Sequence, residues 1–125
     1  MHRILMRTIV FDFEPDVHDA ALDFWTAALD AHSRQGINYP EYHALEHPAT
    51  MGPVMTQILG SGESRIHLDI ETDDPPAEVE RLTALGAKVE KEFDEWIVMR
   101  DPAGILFCVV PAESEDFPHL AREVG

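Results

Sequence analysis

Apolar and polar residues alternate along Ile9-Val10-Phe11-Asp12-Phe13-Glu14 and again along Ile66-His67-Leu68-Asp69-Ile70-Glu71, the period of two that marks a strand with one face turned inward. Each run gives way to a helical pattern. The first helix is predicted over Val17 to Ala31 and the second over Pro75 to Leu85. In the second, Asp74 supplies an N-cap, Val79, Leu82 and Leu85 form the apolar stripe, and Gly86 ends the element. Short β-rich runs follow at Lys88 to Phe93, Trp96 to Arg100 and Leu106 to Val110, with Asp101-Pro102-Ala103-Gly104 as a tight turn before the last. Ser33 to Glu41 carries no clear period.

Laid over one another, the two alternating runs agree in their apolar, acidic and turn positions, except that Val10 stands where the second copy has His67. The match continues through Ala20 on Ala77, Leu22 on Val79, Trp25 on Leu82, Thr26 on Thr83 and Ala27 on Ala84. Tyr42 to Pro48 resembles Trp96 to Pro102, and the turns after them lead to Gly52 and Gly104. A βαβββ unit has been used twice, as module 1 over about residues 7–60 and module 2 over about residues 65–111 of one domain spanning residues 1–112. One amphipathic helix and a small sheet cannot bury a core alone. The expected fold is therefore α+β, with the modules forming curved mixed sheets around a shared core and a concave groove. The acidic stretch 113–125 reads as a loosely ordered C-terminal tail on which Phe117 and Leu120 offer docking points.

The composition suits one globular domain, with 125 residues and 45% hydrophobic content. Its formal charge of −15 disfavours nucleic acid and anionic membrane surfaces, and favours cationic ligands only weakly. No stretch approaches the roughly 18 apolar residues of a membrane helix. With one cysteine, Cys108, and no secretory pattern at Met1 to Arg7, the expected location is the cytoplasm.

Strand alternation turns Ile9, Phe11, Phe13, Ile66, Leu68 and Ile70 toward the helices, and Val10, Asp12, Glu14, His67, Asp69 and Glu71 toward the groove. For the last strand of module 1, counting from the glycines would pair Thr56 with Cys108 and push Gln57 beneath the helix, burying an amide at roughly 1–3 kcal/mol. Gln57 is therefore assigned to the groove, as are Leu106 and Cys108, whose neighbours Phe107 and Val109 suit the helix side. Each polar candidate also has a plain structural reading. His67 would be a satisfied strand histidine, Asp12 and Asp69 partners of Arg7 and Arg65, and Cys108 a small core residue. Convergence on one face favours a site.

The stretch Arg65 to Ile70, the helix end Leu85-Gly86-Ala87 and the run Asp101 to Val110 resemble the vicinal oxygen chelate superfamily, in its glyoxalase-like and bleomycin-resistance branches. Leu22-Asp23-Phe24-Trp25 resembles the first helix of that family. The resemblance implies a groove for a small molecule and, in many members, a divalent ion held by one residue from each first strand and a glutamate from each last strand. Here His67 matches one position. Its counterpart is Ile9 or Val10, and the glutamates correspond to Gln57 or Thr56 and to Cys108. The leading expectation is a metal-independent binder, possessing no cofactor and forming a homodimer, whose groove is lined by Val10, Met55, Gln57, Leu106, Cys108 and Trp96 or Trp25. The competing expectation is a lyase or isomerase in which His67 with Asp69 or Asp12 moves protons, with or without a divalent metal such as Zn, Ni, Fe or Mn. A thiol and an imidazole would bias such a site toward zinc. A regulatory partner module is a third reading. The other histidines, His2, His18, His32, His43, His47 and His119, are read as terminus, helix, strand, turn and tail residues.

Overall fold

The computed structural model describes residues 1–50 and 52–125. Along the chain run β1 (His2–Phe13), α1 (Pro15–Ala28), β2 (His32–Gln35), β3 (Tyr42–Glu46), β4 (Val54–Ile58), β5 (Arg65–Thr72), α2 (Pro75–Ala84), β6 (Lys88–Glu92), β7 (Ile97–Arg100), β8 (Leu106–Pro111), α3 (Phe117–Leu120) and β9 (Arg122–Val124). Up to β8 this is the order β-α-β-β-β, twice, in an α+β fold with parallel and antiparallel strand pairs. Contacts divide the chain into two compact units, Thr8–His67 and Met1–Arg7 with Leu68–Gly125, so both boundaries fall inside strands.

In the Thr8–His67 unit, β4 pairs with β1 in parallel, β3 with β4 antiparallel and β2 with β3 antiparallel. Leu22 of α1 packs on Leu45 and Val54, with Phe11, Trp25, Leu29 and Ala31 around them. Phe11 and Trp25 stack at 4.7 Å. Trp25 therefore belongs to the core under the helix, which corrects its alternative placement in the groove. α1 starts at Pro15, two residues before the sequence expectation, because a proline ring presets the backbone of a first helical turn. It stops at Ala28 because Asp30 takes a left-handed φ of 50°, and the Ala31 N–H turns back to the Thr26 carbonyl. The expected turn leading to Gly52 includes Met51, which lies outside the described residues.

In the other unit, β8 lies parallel to β5, with β7 antiparallel to β8 and β6 antiparallel to β7. Its core is Ala87, Met99 and Val109, packed by Val79, Leu82, Ile97 and Phe107. Asp74 accepts the Ala77 N–H at 3.1 Å and caps α2, while Gly86, at φ 112°, ends it. Two residues expected in the buried set are exposed. Leu85 sits at the helix end beyond the last turn that faces the sheet, and Ile66, 56% exposed, lies outside both core clusters because α2 rests on β8 and β6.

The tail is ordered rather than loose. Phe117 is only 3% exposed beneath the Arg3 guanidinium, Asp116 pairs with Arg7 at 3.4 Å, and β9 pairs with the first residues of β1. Acidity suggested disorder, but basic partners at the other end of the chain offset it. Leu120 stays exposed. Among the described residues no helix is long and apolar enough to cross a membrane.

Candidate functional site

On β1, Phe11 turns to the α1 side, so Asp12 must project from the opposite face. There Asp12, 1% exposed, meets His67, 8% exposed, and the His67 Nδ1–H donates to Asp12 Oδ2 at 2.5 Å. Both residues lie in the Thr8–His67 unit. An ionised carboxylate can only accept, so in this bond Nδ1 is the ring nitrogen that carries the proton. Arg65 Nε stands 3.7 Å from the same Asp12 oxygen, half in solvent, and contributes little energy there. The other oxygen, Asp12 Oδ1, is buried without a hydrogen-bond partner, a costly arrangement that a fold rarely keeps without a use.

Strand register completes this face. Val10 is paired with Met55, and Asp12 with Gln57, which in turn pairs with Tyr42. Paired residues share a face, so Val10, Met55 and Gln57 flank Asp12, with Val10 fully buried and Gln57 half-buried. Thr56 goes under the helix.

In the other unit the same logic sets Asp69 opposite Cys108 and Glu71 opposite Val110. The Asp69 carboxylate and the buried Cys108 thiol lie within 4.8 Å of each other. Leu106, two residues before Cys108, is half-buried on the same face of β8. Trp96 stands just ahead of β7, stacked on Phe93 at 4.8 Å, rather than inside the strand. Glu71 is buried and accepts the Ser114 N–H and hydroxyl at 3.2 and 2.6 Å, a tie to the tail that no local pattern announced.

Three buried polar groups escaped the sequence reading. His18 lies beneath α1 against Thr56 and His43, and its spacing of four and seven residues from Leu22 and Trp25 was the available signal. His2 is not a loose terminus, since its Nε2 bonds Glu78 at 2.8 Å. Burial alone would push the Glu78 carboxyl up, yet the Arg81 and His2 hydrogen bonds outweigh it and hold the group below its usual range.

These residues do not fit the four-donor set of oxygen and nitrogen ligands that the resemblance implies. Ile9 and Val10 carry no donor atom, Gln57 offers a neutral amide, and Cys108 brings a thiol where a hard ion requires a carboxylate.

Residues 8–110 match the family described as Glyoxalase-like domain. No curated protein matches the sequence. Among solved structures, a hypothetical protein from Bacillus halodurans is similar at a TM-score of 0.61 and 12% identity, covering 90% of this chain and 96% of that one. A methylmalonyl-CoA epimerase from Mycobacterium tuberculosis is similar at 0.56 and 15% identity, covering 88% and 89%. A 2,2',3-trihydroxybiphenyl 1,2-dioxygenase from Sphingomonas wittichii is similar at 0.58 and 9% identity, covering 90% of this chain and 42% of its own length. At such identities these likenesses show a shared fold.

Proposed function

Because the chain belongs to the glyoxalase-like domain family of the vicinal oxygen chelate superfamily, we propose that it binds a small molecule without a metal ion, gripping a polar group of that molecule through His67 with Asp12 behind it. The observation that carries this reading is the 2.5 Å bond between two buried groups on one sheet face. A carboxylate on Nδ1 fixes the orientation and tautomer of the ring, so Nε2 meets a ligand without an ordering cost. Gln57 adds a donor and an acceptor beside it, and Val10 with Met55 supplies apolar surface. The charge of −15 gives weak support to an amine-bearing compound over the phosphates of an acyl-CoA.

Calorimetric titration with bleomycin, spermidine and methylmalonyl-CoA tests the reading. A cationic probe is expected to bind, and His67→Gln to weaken it at least about tenfold, or 1.4 kcal/mol. Binding of methylmalonyl-CoA alone, or equal affinity in His67→Gln, would overturn it. The second reading, proton transfer by the same residues, draws on the carboxylate-imidazole pair as a general-base arrangement. Uptake of solvent deuterium into methylmalonyl-CoA, lost in His67→Gln, would establish it in place of the first.

A further inference from the structure

On the sheet face opposite Asp12, α1 is held by a polar contact as well as by Leu22. His18 is fully buried between Thr56 of β4 and His43 of β3. Its Nε2 lies 3.0 Å from Thr56 Oγ1, its ring centroid lies 4.9 Å from that of His43, and the Phe13 ring of β1 meets it edge-on at 6.2 Å. His43 Nδ1 is buried with no hydrogen-bond partner. Few charges face this pair. α1 contributes Asp19, which reaches His18 Nδ1 at 3.3 Å while standing in solvent, and β1, β3 and β4 contribute Phe13, His43 and Thr56. Among the described residues no buried carboxylate bonds either ring.

With His18 fully buried against it and only the solvent-exposed Asp19 carboxylate nearby, the half-buried His43 ring resists taking a charge while docked. We propose that His18 and His43 form an acid-sensitive latch, holding the first turns of α1 on β3 and β4 at neutral pH and letting that end of the helix lift on acidification. The electrostatics agree: burial, then the nearby His18, hold His43 below the ordinary imidazole value of 6.5, against a smaller opposite pull from Asp19. His43 takes up its proton near 6.5 when lifted and only at lower pH when docked. The lifted state therefore binds more protons as pH falls below 6.5, and docking weakens there and not above it. Glu78 titrates below its usual range and lies in the other unit, so its loss falls at lower pH and elsewhere in the chain. The latch stands whether or not His67 binds a ligand. It lies on the other face of the sheet from the dyad, with Pro15, the first residue of α1, three positions after Asp12 in the chain.

Hydrogen exchange by mass spectrometry on the whole chain, at about pH 7.5 and about pH 5.5 and corrected for intrinsic rates, tests the latch. Peptides of α1 are expected to gain exchange about tenfold over peptides of β7 and β8, the change one pH unit of proton uptake produces. In His43→Phe, and in His18→Gln, which keeps an amide toward Thr56, that excess should fall below about threefold. If His43→Phe does not fold at neutral pH, His18→Gln carries the comparison, alongside an imidazole NMR titration of the wild type in which His43 titrates below 6.5. The latch is overturned if α1 opens only in step with β7 and β8, if the excess survives in the variants that fold, or if His43 titrates at or above 6.5.

Discussion

Replacing Asp12 with Asn preserves shape and removes charge, and the surroundings of Asp12 set what that should cost. The bond from His67 is a buried, charge-assisted one, of the kind worth about 1.5–3 kcal/mol. Arg65 adds at most about 1 kcal/mol, since it is 40% exposed and 3.7 Å away. Relieving the unpartnered Oδ1 of its charge works in the other direction. Asp12→Asn should therefore cost about 1–2 kcal/mol, a fall in Tm of about 3–10 °C for a domain of this size. His67→Leu should cost more, about 3–5 kcal/mol, because it leaves Asp12 charged, buried and without its main partner. Combined, the two should cost less than their sum by about 1.5–3 kcal/mol, since the double variant leaves a neutral amide rather than a charge without its partner. Urea unfolding of the four proteins measures this coupling directly. A coupling within about 0.3 kcal/mol of zero would mean that the 2.5 Å contact carries no energy, and the dyad would cease to be the anchor of the site.

Elemental analysis of the dialysed protein should find no stoichiometric zinc, nickel, iron or manganese; near one equivalent, lost in His67→Leu, would refute the metal-free proposal and favour the enzyme reading. Phe117→Ala should cost about 3–5 kcal/mol by thermal or urea unfolding, whereas a cost below about 1 kcal/mol would show that the tail is not part of the folded core.

The alternating runs and helical stripes made most of the fold legible, because a period of two and a helical stripe are local properties that tertiary contacts reinforce rather than override. Asp74, Pro75 and Gly86 set the limits of α2 by backbone chemistry alone. What local pattern could not supply was pairing between distant residues. Arg3 lies over Phe117, Ser114 bonds Glu71, and His2 bonds Glu78, and in each case the partner is at least 43 positions away. His18 was overlooked for a different reason: a histidine on an apolar helix face reads as polar, and only the neighbouring strands reveal Thr56 and His43 as its surroundings.

The last strands show how one element order, used in both units, can carry unequal chemistry. Each unit sets a first-strand aspartate opposite a last-strand residue, Asp12 opposite Gln57 and Asp69 opposite Cys108, so strand register fixes where the carboxylates project. The partners differ in kind. An amide donates and accepts, whereas a thiol is a weak donor and a weaker acceptor, so the pairing that suits hydrogen-bonded recognition lies beside Asp12. Asp12 is also the carboxylate that holds an imidazole at 2.5 Å and keeps one oxygen without a partner. A fold that needed aspartate only to support its strands would gain nothing from burying that oxygen. Under the proposed function, His67 and Gln57 would use that carboxylate for recognition, and the specificity would then lie in side chains that differ between the two units.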